Sequence, residues 1–344
     1  MEISTSKGYR RFAWITLVLI FLVIIAGSVV RTTGSGMGCP DWPKCFGKII
    51  PPTCACELPD NYKEHYGEYR VKKAERFANL LESIGFEEEA EALRNDPNLS
   101  KEEDFNATKT WFEYVNRLVG FLAGNAVLIL LIWTIIRYRK YRKLLFLTFL
   151  NLVLMGFEAW FGSIVVATNL VPWTITLHMF FALVIVGIQV RIILLAKGDT
   201  LKIIDVSKTF KRLFVAALIL TFIQIIMGSQ VRQEVDFMVK EGMDRAMWID
   251  NMLGDFYFHR SFSWALLILN GVLWYMNYLK NTGIKAMNWI IGLILIEFIT
   301  GILFSYAGMP AFGQPVHLLS ASVLLGIQFY VLGQLQAKTT STIE

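Results

Sequence analysis

The chain has 344 residues, 55% of them hydrophobic and 18% charged, with a formal net charge of +5 and a mean hydropathy of +0.48. A soluble domain carries about 25% charged residues, so this composition excludes an ordinary water-soluble fold. The basic excess clusters in short loops between apolar runs, which argues against a nucleic-acid partner and for a lipid bilayer.

Runs of about 20 apolar residues, the length that crosses about 30 Å of hydrocarbon, recur along the chain. They predict an all-α polytopic membrane protein of eight transmembrane helices, at 12–31, 112–136, 144–167, 173–196, 213–232, 256–278, 287–306 and 314–335. The first run has a basic flank, as a secretory signal would, but its apolar core is too long for a signal and it reads as a retained anchor. Lys7, Arg10 and Arg11 precede it, Arg137 to Lys143 follow the second span, Lys197 to Arg212 the fourth, and Lys280 and Lys285 the sixth. Cytoplasmic loops hold the Lys and Arg excess, so both termini are expected inside a bacterial-type inner membrane, with the first loop outside.

That first loop holds all four cysteines, Cys39, Cys45, Cys54 and Cys56, on the side where disulfides persist. It also contains an insertion over 46–110, in which Phe77, Leu80, Leu81, Ile84 and Phe86 have helical spacing within a charged stretch. A small helical extracytoplasmic cap is expected there, read as a solvated hairpin without chemistry of its own.

The two halves repeat. At the single offset that carries His178 to His317, Ala182, Val184, Gly187, Ile188 and Gln189 recur as Ala321, Val323, Gly326, Ile327 and Gln328, and Glu158 and Gly162 recur as Glu297 and Gly301. Gly27 to Arg31 matches Gly228 to Arg232, and Asn116-Arg117 matches His259-Arg260. The expected organisation is therefore two pseudo-symmetric four-helix bundles related by a parallel repeat. A cytoplasmic N-terminus (1–11) precedes the first half (12–196), a linker (197–212) joins it to the second half (213–336), and a cytoplasmic tail (337–344) follows.

Ionisable residues inside spans are costly and mark candidate functional sites. His178, His259 and His317 all lie near the outer ends of even-numbered spans, at one depth. Neutral imidazoles at one level on facing helices can ligate haem iron; the bland alternative is that each only hydrogen-bonds a neighbouring helix. Arg31, Arg117, Arg232 and Arg260 stand at the same boundary. A guanidinium fork suits a haem propionate, and snorkelling to lipid headgroups is the alternative. Glu113 is one turn before Asn116, and its repeat twin is Phe256, so this carboxylate belongs to the first half alone. Beside a haem edge it could accept a proton; otherwise it lies in water at the interface. Glu158 and Glu297 occur in both halves and suggest a shared hydrogen bond or proton relay.

The run from Arg31 to Cys45 (RTTGSGMGCPDWPKC), Pro51-Pro52, Trp111-x-Glu113-x-x-Asn116-Arg117, and the residues His178, His259-Arg260 and His317 together resemble the haem A synthase family. The resemblance covers all eight spans and leaves the inserted cap unexplained. It implies an oxidoreductase that turns a methyl group of haem O, at C8, into the formyl group of haem A for a terminal oxidase. By the resemblance, His259 and His317 would ligate a haem b cofactor with Arg232 and Arg260 nearby. His178, Asn116, Arg117 and Arg31 would bind the haem O substrate, Glu113 would be catalytic, and Cys39 and Cys45 would form a disulfide or relay electrons. Partners implied are a haem O synthase and a membrane electron acceptor, and the oligomeric state is left open.

One departure is Asn116, where the family usually has His; an amide is a poor iron ligand, so the substrate haem would be held by His178 alone or with a water or other sixth ligand. His65, in the polar cap, is a remote substitute. Cys54 and Cys56 have no counterpart in the motif, and being two residues apart they close only a strained ring together, which leaves exchange with Cys39 or Cys45 open. Two rival readings are a two-haem membrane electron-transfer protein, which would need matched ligands in both halves, and a haem-delivery membrane protein.

Overall fold

Helix caps and apolar lengths set the elements of the computed structural model, which describes residues 5–337 apart from the side chains of Pro172 and Lys240. The part of the expected tail beyond Ala337 lies outside the described residues. The helices are α1 (Lys7–Thr32), α2 (Tyr62–Ser83), α3 (Glu87–Arg94), α4 (Ala107–Tyr138), α5 (Arg142–Ala167), α6 (Pro172–Lys197), α7 (Lys208–Lys240), α8 (Gly254–Leu279), α9 (Ala286–Tyr306) and α10 (Gly313–Leu332). Eight of them are long and apolar enough to cross a membrane; α2 and α3 form the expected cap.

Several helices outrun the expected spans because polar caps start them early. Ser6 accepts from the amide of Tyr9, Asn106 from Lys109 and Ser207 from Phe210, satisfying amides that the first turn leaves without partners. At its far end α7 continues to Lys240 because Val235 and Met238 still find apolar cover from Trp248, Met252 and Phe256. The last helix stops at Leu332, short of the expected 335. Leu335–Ala337 instead forms a strand (β2) that pairs in parallel with Ile204–Val206 (β1), clipping the linker between the halves to the end of the second half.

Each half closes into a ring of four. In the first, α1 packs on α4, α4 on α5, α5 on α6 and α6 on α1; in the second, α7, α8, α9 and α10 repeat that circuit. The halves meet where α1 and α6 of one face α10 and α7 of the other, with α6 against α10 at the centre. Gly187 and its twin Gly326 permit the close approach there. A Cβ on Gly187 would lie 3.2 Å from the Phe329 ring, and one on Gly326 would lie 3.0 Å from Phe21. Small residues at helix crossings are the membrane substitute for a hydrophobic driving force. Each half also buries an amide pair. Asn151 donates to Gln189 (2.9 Å), which donates to the Ala13 carbonyl (2.7 Å), and Gln328 faces Asn270 at 3.3 Å.

The cap sits on the first half only. Ala74, Phe77, Ala78, Leu81, Ala90 and Leu93 pack onto Phe161, Ile164 and Val165 of α5, and Phe77 stacks on Trp173. Of the cap residues singled out by spacing, Phe77 and Leu81 are buried, whereas Leu80, Ile84 and Phe86 are exposed. Arg70 is fully buried and paired with Glu102, which fastens α2 to the segment returning to α4.

Candidate functional site

At the level of the intramembrane histidines both halves use the same local device. In the first half Nδ1 of His178 on α6 lies 2.7 Å from Oε2 of Glu158 on α5. One turn further along α5, Gly162 makes room for the ring, since a Cβ there would lie 3.3 Å from its Cε1. In the second half Nδ1 of His317 is 2.6 Å from the Thr300 hydroxyl and 3.0 Å from Oε2 of Glu297, which also accepts a hydrogen bond from Ser320. A partner at Nδ1 leaves Nε2 free, as the oriented imidazole of a metal ligand requires. Glu158 and Glu297 are thus orienting partners of the two histidines.

His259 completes a pair in the second half only. Its ring centroid is 6.4 Å from that of His317, with 66° between the planes. Two imidazoles ligating one ion at about 2 Å each have centroids about 6 Å apart, so the spacing fits a single metal between them. Nδ1 of His259 is buried without a hydrogen-bond partner. The ring is set against Gly228, where a Cβ would lie 3.0 Å from its Cε1. Among the described residues no group of three or more His, Cys, Asp or Glu could hold a metal ion. Two imidazoles alone suit a metal whose other ligands come with it, as a porphyrin supplies them.

The twin of the Gly228–His259 contact is Gly27 with Asn116, where the amide oxygen lies 3.9 Å from the Cβ position. That oxygen is buried and lacks a hydrogen-bond partner. A shorter, non-ligating side chain therefore occupies the place of His259. The His178 side chain is 40% exposed against 24% for His317, which makes the first site the more open.

Glu113 does not lie in water at the interface, the bland alternative above: it is 3% exposed. It accepts from the amide of Cys39 at 2.8 Å and from Arg117. The Arg117 guanidinium also donates to the carbonyls of Cys39 (2.8 Å), Lys44 (3.0 Å) and Asp41. Thr110 donates to the carbonyl of Gly38, which has no room for a side chain because a Cβ would lie 2.7 Å from the Lys109 backbone. Together these contacts press the first loop onto α4. A disulfide joins the buried Cys39 and Cys45, and a second joins Cys54 to Cys56. The pairing of Cys54 and Cys56, open in the sequence, is with each other: the turn around Ala55 brings their Cα atoms within 5.2 Å.

The four boundary arginines divide. Arg117 is committed to the loop. Arg31 and Arg232, one from each half, grip the two oxygens of Asp236, at 2.6 and 2.7 Å, and Arg232 also donates to Gln314 at 2.7 Å. Arg260 is exposed and lies over the rings of Phe256 and Tyr257, and among the described residues no carboxylate pairs with it. Asp236 escaped the sequence reading, although it stands one turn after Arg232 on α7, the spacing at which helical ion pairs form. His65 lies in the cap against Tyr66.

A family model described as cytochrome oxidase assembly protein, COX15-CtaA, matches residues 10–79 and 81–329. The chain belongs to this family. A heme A synthase of Halalkalibacterium halodurans is 23% identical over 95% of this chain and 96% of its own length, and one of Alkalihalophilus pseudofirmus is 21% identical over 94% and 96%. A heme A synthase of Shewanella oneidensis is 24% identical, covering 69% of this chain and 62% of its own length. Residue 80, the one position left out between the two matched segments, is the exposed Leu80 of the cap, so the family match runs through α2 as well as the eight spans. Cytochrome oxidase assembly proteins of this family thus include a member with an asparagine at the first-half position whose repeat twin is His259.

Proposed function

We propose that the chain is a haem A synthase, oxidising the C8 methyl group of haem O to a formyl group in a bacterial-type inner membrane. The observation that carries this reading is the inequality of two otherwise repeated sites. The second half has two imidazoles spaced for one iron, suited to a retained haem b that supplies electron transfer. The first has one carboxylate-oriented imidazole, an asparagine in place of the second, and a buried acid with no twin. A substrate must leave after reaction, and a single protein ligand favours that. His178, held by Glu158 and seated on Gly162, orients the substrate. Glu113 accepts protons as the methyl carbon is oxidised, and Arg117 stabilises the carboxylate between transfers. With the basic loops cytoplasmic, both termini are inside and the cap and disulfides outside. A haem O synthase would deliver the substrate, and a membrane carrier would take the electrons.

Matched electron-transfer sites would not need an acid in one half only, and a delivery protein would not need it at all. The test is co-expression with a haem O source, followed by extraction and chromatography of the haems. Haem A is expected with the unmodified chain and absent with Glu113→Ala; its absence in both would overturn the reading.

A further inference from the structure

Between the cap and the first half lies a narrow cleft, with Trp42, Tyr69, Lys73, Arg117, Ser163 and Val166 in its walls. Its interior has room for no more than about one water molecule, so a ligand group would meet the half-exposed Lys73 at the cleft mouth and not enter it. Its height is fixed by α5: Ser163 follows Gly162, the seat of the His178 ring, and Val166 is four residues, about 6 Å, further along the helix. Arg117 likewise follows Asn116. The cleft therefore lies about one turn beyond the imidazole level, on the cap side.

Three cations line the cleft, and two are already committed. Arg70 is paired with Glu102 and donates to the Lys101 carbonyl at 2.8 Å, and Arg117 is spent on Glu113 and three loop carbonyls. Lys73 is half-buried and, among the described residues, makes no ion pair or hydrogen bond. The nearby carboxylate, Asp41, accepts the amides of Phe46 (2.6 Å) and Gly47 (2.9 Å) instead. Burial, and then the like charge of Arg117, hold the Lys73 ammonium below its ordinary 10.5, with Asp41 opposing. A half-buried cation of this kind gains from an incoming anion, because the anion offsets a desolvation already incurred.

We propose that Lys73, supplied by the inserted cap, recognises a carboxylate of the porphyrin bound in the first half. The proposal rests on the reading of that half as a haem site. It gives the cap a task that the second half, which has no cap, lacks: selecting the substrate by its acidic edge.

The full-length protein in detergent would be titrated with protohaem and with protohaem dimethyl ester, following by absorbance the uptake that His178→Ala abolishes. The unmodified chain is expected to prefer the diacid by about tenfold, the size of one charge-assisted contact. Lys73→Met should lose most of that preference, Lys73→Arg should keep it, and affinity for the dimethyl ester should be equal in all three. A Lys73→Met protein that keeps the preference, or an unmodified chain that shows none, would overturn the assignment of Lys73 alone. Absence of any His178-dependent uptake would overturn the reading of the first half and the assignment with it.

Discussion

Single side chains separate the two sites more than helices do. Gly228 and Gly27 are twins, as are His259 and Asn116, yet a Cβ on Gly228 would meet the imidazole at 3.0 Å whereas one on Gly27 would stand 3.9 Å from the amide. Gly228→Ala should therefore push the His259 ring off the His317 axis, because both helix backbones are fixed by packing and the ring alone can move. The expected outcome is a purified protein whose tightly held haem is reduced several-fold while its helical circular dichroism is unchanged. A full complement of that haem would show that the ring has slack. Glu113 and Phe256 make the same point in apolar terms. Phe256 is buried among Val231, Val235 and Trp248, so the place that holds a carboxylate in the first half is an apolar cluster in the second.

Among the elements, the cap depends on one buried ion pair. The side chains of Arg70 and Glu102 are 1% and 2% exposed. Burial raises the Glu102 carboxyl above its ordinary 4.5, with Arg70 opposing. Arg70→Met would leave that acid buried without a partner, a loss of about 3–5 kcal/mol. In the variant the folded cap binds the carboxyl proton more tightly than the unfolded segment does, so the loss is largest at neutral pH. It shrinks as pH falls through the raised folded value toward 4.5. Hydrogen exchange over residues 62–104 should be faster than in the unmodified chain at pH 7, with the difference smaller at pH 5 after correction for intrinsic rates. An unchanged exchange pattern would mean that apolar packing on α5 alone secures the cap.

Across the assembled chain, the halves are joined at the capped end through Asp236, which holds Arg31 from one and Arg232 from the other. Asp236→Asn leaves two adjacent guanidiniums without their counter-charge and should lower stability by about 2–3 kcal/mol, read as a lower melting temperature in detergent. Combining it with Arg31→Met should cost less than the two separate losses added together, since both remove one contact; simple additivity would show that Asp236 does not couple the halves.

The sequence by itself determined the eight spans, the repeat and the level of the histidines. These follow from local rules: apolar length against bilayer thickness, and one residue pattern written twice. It also exposed the Asn116 and Glu113 asymmetry, because a repeat supplies its own comparison. Only the tertiary structure decided what the polar residues hold. Arg31, Arg117 and Arg232 read alike as boundary cations, but Asp236 and the carbonyls of the first loop claim them, and those partners come from segments far apart in the chain. The Cys54–Cys56 pairing, the β1–β2 clip and the cleft beneath the cap share that origin. Charge and periodicity reveal where a side chain is placed along its helix, whereas its partner is set by which distant backbone or acid reaches it first.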